Sequence, residues 1–132
     1  MAQAIKNRRS FRFRVAVASL GAAITMPSVA AQGDALRGAE VYASRCGGCH
    51  SVDADRVGPR HAGVFGRHAG SVEGFDYSPA LKASPIIWDS KNLDLWLMNP
   101  ESLVPGQRMG FSLGDAALRA DVIAYLATLQ SK

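Results

Sequence analysis

The feature that most constrains this chain is the segment Cys46-Gly47-Gly48-Cys49-His50, which contains both cysteines of the 132 residues. The pattern C-x-x-C-H is typical of covalent attachment of a c-type haem. On a helix, residues three and four apart share a face, so two thiols can reach the two vinyl groups of one porphyrin, while the following imidazole reaches its iron. The motif therefore predicts Cys46 and Cys49 as anchors of the cofactor and His50 as an iron ligand.

Three other interpretations stay open on these five residues alone. A redox-active dithiol is typical of a βαβ context, which the surrounding sequence does not show. A zinc site would need more ligands, and His61 and His68 could complete only an unusual one. A structural disulfide across two residues would be strained and would stabilise the domain little. A second iron ligand elsewhere in the chain would favour the haem.

Residues 1–31 have the pattern of a cleaved export signal. Five basic side chains and no acidic ones precede an apolar segment from Val15 to Met26, and small residues follow as far as Ala31. The apolar segment would span about 18 Å as a helix, which is short of the roughly 30 Å of a bilayer core. We therefore expect cleavage after Ala31, a periplasmic mature chain of residues 32–132 and no permanent membrane anchor.

The positive charge of the chain belongs to this leader. The whole chain has 15 basic and 11 acidic side chains, and five of the basic ones but none of the acidic ones lie in residues 1–31. The remaining residues form a nearly neutral domain, which lacks the basic surface typical of nucleic-acid binding. We expect no nucleic-acid partner. A hydrophobic content of 48% argues against a disordered chain.

Three aspartates are placed to begin helices in residues 32–132. Asp34, Asp89 and Asp115 each precede a helical repeat, and a carboxylate there can accept from the first free backbone N–H groups. The first predicted helix runs to about Arg45, and the second ends at Asn99-Pro100 because a residue before proline avoids the α region. The third carries its apolar repeat at Leu118, Val122, Tyr125, Leu126 and Leu129.

Smaller patterns complete this prediction of helices. On the first helix, Leu36, Ala39 and Tyr42 are expected to lie on one face, at three-residue spacing. Ser78-Pro79 and Pro100 favour short helical turns, because proline suits the first helical position.

The glycine-rich region from Ser51 to Tyr77 contains no convincing strand pattern. An irregular segment of this length is unusual inside so small a domain, and a large bound cofactor would supply the apolar surface that organises it. His61 and His68 are expected on the surface of this loop.

A series of short motifs runs from about Gly33 to Leu129. They are Cys46/Cys49/His50, Gly58-Pro59, Gly63-Val64-Phe65-Gly66-Arg67, Gly74-Phe75-Asp76-Tyr77, Trp88, Asn99-Pro100, Pro105-Gly106 through Met109, and Val122 to Leu126. In order and spacing the series resembles the class I cytochromes c, especially the mitochondrial and soluble purple-bacterial proteins. The resemblance implies an all-α fold, in which three main helices and short helical turns surround one covalently bound haem.

The resemblance also implies roles for residues around the haem. Met109 matches the second axial ligand, opposite His50, and a soft thioether there favours ferrous iron. Pro59 matches the residue whose carbonyl accepts a hydrogen bond from the iron-bound imidazole. The residues that match the contacts of the haem propionates are Arg67, Tyr77 and Trp88. Gly38 and Tyr125 match the close crossing of the first and last helices.

Several aromatic and charged positions qualify the match. Trp96 and Phe111, with Trp88, are expected to be hydrophobic core and haem wall at once, although Trp96 stands where mitochondrial relatives carry a tyrosine. Met98 is the weaker candidate for the second ligand, because it lies on a helix outside the Pro105–Phe111 loop. Glu101 and Ser102 replace lysines of the mitochondrial docking ring. Arg45, Arg56 and Arg108 are expected to leave a small positive collar at the haem edge.

A His/Met iron keeps six ligands in both oxidation states, which suits one-electron transfer. The sequence shows no catalytic constellation, so we expect an electron carrier rather than an enzyme. It would be a monomer that docks transiently to membrane or periplasmic redox complexes. The alternative is a dedicated cytochrome subunit of a periplasmic oxidoreductase, or a site where Met109 leaves and small ligands bind.

Overall fold

A computed structural model describes residues 32–130 as a helical domain. The α-helices are α1 (Ala35–Val41), α2 (Pro79–Lys82), α3 (Ser90–Met98), α4 (Pro100–Leu103) and α5 (Ala116–Thr128), and a π-helical turn, Tyr42–Cys46, continues α1. Within these residues the β-structure is limited to an isolated bridge between His68 and Ile87. The predicted all-α class with three longer helices and short helical turns is thereby confirmed. The predicted export signal, residues 1–31, lies outside the described residues.

The helix starts follow the predicted caps. Asp34 accepts hydrogen bonds from the N–H groups of the first turn of α1, Asp89 does so for α3, and Asp115 for α5. Ser78 and Asn99 cap the short helices α2 and α4, which both begin with proline. Local side-chain chemistry thus fixes where each helix begins.

Helices α1 and α5 cross at a glycine. Gly38 is buried, and a Cβ added there would collide with the Asp121 carbonyl oxygen and lie 2.8 Å from Cβ of Tyr125. Because Gly38 faces α5, a residue two positions earlier points to the opposite side of the helix. Leu36 is accordingly 83% exposed, whereas Tyr42, at the other end of the predicted apolar spacing, is buried.

Two ion pairs, each with one buried partner, tie the helices together. The Asp121 side chain, 5% exposed, accepts from Arg37 Nε at 3.0 Å and from the Asp34 backbone N–H at 2.7 Å, which joins α5 to the start of α1. The Arg119 side chain, 8% exposed, donates to Asp94 on α3 at 2.7 Å and to the Leu113 carbonyl oxygen at 3.0 Å. Both pairs were absent from the sequence-based prediction.

The core lies between the helices and the long loop. Its buried residues are Tyr42, Val64, Ala69, Trp88, Leu93, Trp96, Leu97, Val104, Leu113, Val122, Ile123 and Leu126. The loop turns back over this core at glycines with positive φ, among them Gly70 at +67°, where a Cβ would also lie 2.7 Å from the Leu81 carbonyl oxygen. Glycine is required there on both counts. The core is not closed, because a large cavity opens between α3, α5 and the loop.

Candidate cofactor site

The cavity has a volume of about 750 Å³, within the range of pockets that hold cofactors. The ten residues singled out from the sequence all line it: Cys46, Cys49, His50, Pro59, Arg67, Tyr77, Trp88, Trp96, Met109 and Phe111. They come from the turn after α1, the long loop, the segment between α2 and α3, α3 itself and the segment before α5. The fold therefore brings together positions that are up to 65 residues apart in sequence.

The two cysteines lie on one helical turn at the wall of this cavity. The backbone N–H groups of Cys49 and His50 both donate to the Cys46 carbonyl oxygen, at 3.0 and 2.9 Å, so the motif has the predicted helical geometry. Both thiols are free. Burial, and to a smaller extent the neighbouring Cys49, raises the pKa of Cys46 to about 11. A thiol that stays protonated at neutral pH is a poor redox nucleophile, which weighs against the dithiol interpretation.

The zinc interpretation gains no support from the arrangement of ligands. In the part of the chain from residue 32 to residue 130, no three His, Cys, Asp or Glu side chains form a group that could hold a metal ion. The ligand set at the cavity is instead two thiols and histidines within an apolar wall. That donor set fits a porphyrin held by thioethers and by an axial imidazole.

His50 is held by the segment Gly58-Pro59. Its Nδ1 donates to the Pro59 carbonyl oxygen at 2.8 Å, which leaves Nε2 free to act as a ligand. Burial lowers the pKa of His50, although the hydrogen bond to Pro59 opposes this shift, so the ring is neutral, as a metal ligand must be. A Cβ at Gly58 would lie 2.5 Å from Nδ1 and 2.6 Å from Nε2 of His50. Only glycine lets the backbone pass this close to the ring.

His61 differs from its predicted place on the surface. Its ring stacks on His50 with centroids 4.1 Å apart and an interplanar angle of 21°, and its Nδ1 lies 3.2 Å from the Tyr42 hydroxyl. Burial, then the nearby His50 and Arg67, lowers the pKa of His61 to about 3, so it is neutral at physiological pH. The prediction failed because the loop folds back over the cavity and carries this residue inward. His68 is exposed, as expected.

The guanidinium of Arg67 lies at the cavity with one unsatisfied donor. Its Nη atoms donate to the carbonyl oxygens of Ala62 at 2.8 Å and Arg60 at 3.0 Å, whereas its Nε is buried and has no hydrogen-bond partner. A buried N–H without an acceptor is costly, and it fits a ligand that presents a carboxylate to this wall. Tyr77 and Trp88, which are also buried, line the same cavity. The residues present thus fit a haem, whose propionates are such carboxylates.

The loop that carries Met109 is held by hydrogen bonds to α4. The Glu101 carboxylate accepts from the Gly106 N–H at 2.9 Å and from Gln107 Nε2 at 3.3 Å. The Gln107 side-chain oxygen accepts in turn from the Met109 N–H. Met109 is half-buried at the cavity wall, whereas Met98 is 46% exposed and does not line this cavity. The fold therefore places Met109, rather than Met98, with the cysteines and His50.

Three arginines stand at the cavity wall and are exposed to solvent. They are Arg45, Arg56 and Arg108. Arg56 donates to the Gly47 carbonyl oxygen at 2.7 Å, and Arg108 pairs with Asp76 at 3.1 Å. The positive collar expected from the sequence is therefore present but partly compensated by Asp76.

Comparisons with known proteins agree on the family. A family model described as cytochrome c matches residues 35–130. The cytochrome c-type cyt cy of Rhodobacter capsulatus is 46% identical over 99 residues, which cover 74% of this chain but only 50% of that relative. Cytochrome c2 of Rhodomicrobium vannielii is 43% identical over 119 residues, 86% of this chain and 94% of the relative. Cytochrome cH from Methylobacterium extorquens superposes with a TM-score of 0.70 at 41% identity, covering 73% of this chain and 99% of that structure.

Proposed function

Because the chain belongs to the cytochrome c family and has its small all-α fold, we propose that it is a one-electron carrier of the periplasm. When bound, the haem supplies an iron that alternates between the ferrous and ferric states. Cys46 and Cys49 would hold the porphyrin covalently, and His50 would bind the iron from one side. The observation that carries this proposal is that both thiols, His50 and Met109 line one and the same cavity.

Met109 would be the second protein ligand of the haem iron. A thioether is a soft ligand that favours ferrous iron and so raises the reduction potential. The hydrogen bonds that the Gly106 N–H donates to Glu101 and the Met109 N–H donates to Gln107 support this role, because they hold the backbone that presents the sulfur. An iron with a protein ligand on each side would keep these ligands when it is oxidised, which suits electron transfer better than catalysis on a bound substrate.

The remaining cavity residues would orient the haem and exclude water. Arg67, Tyr77 and Trp88 would face the propionates, and the unsatisfied Nε of Arg67 supports this orientation. Trp96 and Phe111 would form the apolar wall, with Trp96 and Trp88 in ring contact at 5.2 Å between centroids. Pro59 would fix the tautomer of the His50 imidazole through the hydrogen bond at its Nδ1.

Export and docking complete the proposal. Residues 1–31 would direct the chain to the periplasm and be removed, and residues 32–132 would act as a monomer. No helix within residues 32–130 is long and apolar enough to cross a membrane.

The collar of Arg45, Arg56 and Arg108 would guide brief docking to redox complexes. Its partial compensation by Asp76 predicts a modest dependence of association rate on salt.

A redox titration of the purified mature protein tests the proposed function. We expect a red protein whose haem stays attached after denaturation and organic extraction, and whose reduction follows a single reversible one-electron curve. The ferrous form is expected to resist carbon monoxide, because Met109 closes the iron. A colourless protein, extractable haem, or ready binding of carbon monoxide would contradict the proposal.

A further inference from the structure

The wall of the cavity around His50 contains a second histidine that the proposed function does not use. The rings of His61 and His50 are stacked, with an interplanar angle of 21°. His61 is mostly buried in the long loop and lines the same cavity as His50. A polar aromatic side chain in face-to-face contact with a proposed iron ligand invites a functional explanation.

The structure holds His61 from several directions. Its backbone N–H donates to the Ser51 carbonyl oxygen at 3.0 Å, and its carbonyl oxygen accepts from the Val64 N–H at 3.0 Å. Its Nδ1 lies 3.2 Å from the hydroxyl of Tyr42, which is buried and packs against Tyr125 at 5.2 Å between centroids. Tyr42 begins the π-helical turn that ends at Cys46. Tyr42, which holds His61, and Cys46, which would hold the haem, therefore lie in the same helical turn.

The hydrogen bond to Pro59 alone does not fix the His50 ring completely. A bond at Nδ1 determines where that atom points, but it constrains rotation of the ring plane about the line of the bond only weakly. A stacked ring supplies the missing constraint, because rotation would drive the edge of one ring into the face of the other. His61 is rigid enough to provide it, since both its backbone and its ring are held.

We propose that His61 is a positioning residue, whose ring, anchored by the Tyr42 hydroxyl, sets the plane of the His50 imidazole relative to the haem. This inference rests on the proposed function, because it needs His50 as an iron ligand. For a given second ligand, the plane of the imidazole bound to low-spin ferric iron influences how the unpaired electron spreads over the porphyrin. The four ring methyl groups then experience unequal paramagnetic shifts, and the spread of these shifts reports the ring plane.

Four variants of the haem-loaded mature protein test the inference. His61→Leu replaces the stacked ring with an apolar side chain that has no ring, and His61→Phe keeps a ring but loses the hydrogen bond with Tyr42. Tyr42→Phe removes only the hydroxyl anchor. His68→Leu makes the same change at an exposed histidine seven residues away in the same loop, so it is the matched control. The measurement is the proton NMR spectrum of the ferric form, with ferric electron paramagnetic resonance as a second readout.

His61→Leu is expected to change the spread of the haem-methyl shifts and the ferric g values by clearly more than His68→Leu does. His61→Phe is expected to restore most of the wild-type pattern, and Tyr42→Phe to give a smaller change than His61→Leu. Shifts in His61→Leu that match those of the wild type and of His68→Leu would overturn the positioning role. If His61→Leu does not accumulate, unchanged shifts in Tyr42→Phe overturn it instead.

The same spectra separate this inference from the function on which it depends. If the protein is red and low-spin but its haem-methyl shifts are the same in the wild type and in the variants at residues 42 and 61, only the role of His61 is contradicted. A protein that holds no covalent haem, or whose iron is high-spin in the wild type, contradicts the proposed carrier itself.

Discussion

Gly58 offers a sharp test of the geometry around His50. The glycine backbone passes so close to the imidazole that a Cβ at this position would lie 2.5 Å from Nδ1 and 2.6 Å from Nε2. Gly58→Ala must therefore push the ring away from the Pro59 carbonyl oxygen, or push the loop away from the ring. Gly48→Ala is the matched control, because a Cβ there meets nothing within 4 Å.

The expected cost of Gly58→Ala combines two effects. Forcing a methyl group into a filled space costs about 1–3 kcal/mol of unfolding free energy. Loss of the 2.8 Å hydrogen bond between His50 and Pro59 adds about 0.5–1.5 kcal/mol. The sum is about 1.5–4.5 kcal/mol, whereas Gly48→Ala is expected to change the free energy by no more than about 1 kcal/mol.

Urea unfolding of the haem-loaded variants measures this difference. With a slope of about 1–3 kcal/mol per molar urea, the midpoint of Gly58→Ala should fall by at least about 0.5 M. The reduction potential should also rise in Gly58→Ala but not in Gly48→Ala, because an imidazole without the hydrogen bond to Pro59 is less basic and stabilises ferric iron less well. A Gly58→Ala protein with the midpoint and potential of the wild type would refute the close approach of this backbone to His50.

Three further outcomes are expected. Arg37 and the Asp34 N–H hold the pKa of Asp121 below its ordinary value. The ionised carboxylate therefore stabilises the folded state at pH values above its unfolded pKa of about 4. This contribution is lost as the pH falls through the lower pKa of the folded state. Urea unfolding at several pH values should show a weaker loss of stability on acidification in Asp121→Asn than in the wild type. Arg67→Gln should lower the reduction potential, because a buried cation near the iron disfavours the ferric charge; redox titration beside Arg45→Gln, at an exposed arginine, checks this. Replacement of both Cys46 and Cys49 by serine should prevent accumulation of folded protein, and a stable colourless domain with native helical circular dichroism would contradict that expectation.

The helix starts could be predicted because their causes are local. Asp34, Asp89 and Asp115 accept hydrogen bonds from N–H groups two or three residues away, and such a cap needs nothing from the rest of the fold. The C-x-x-C-H turn is equally local, since Cys46 and His50 are joined within one helical turn. The approach of Met109 to the same cavity was implied by the family resemblance, and neither periodicity nor spacing alone predicted it.

The failures of prediction have long-range causes. Helical spacing places Leu36, Ala39 and Tyr42 on one face but does not say which face meets α5; the close contact at Gly38 decides that and leaves Leu36 exposed. The ion pairs of Asp121 and Arg119 follow from no local pattern, because their partners lie 84 and 25 residues away in the chain. His61 was assigned to the surface because a glycine-rich loop is usually exposed. This loop instead folds over a cavity, a tertiary arrangement that no short pattern reports.

The ferric absorption spectrum in the far red tests the central claim most directly. A weak band in that region reports a bond between a methionine sulfur and the iron, so it shows whether the haem is held by His50 and Met109 together. The band should be present in the wild type and in Met98→Ala, whose methionine is exposed outside the cavity, and absent in Met109→Ala. A wild-type protein without the band, or a Met109→Ala protein that keeps it, would contradict the account.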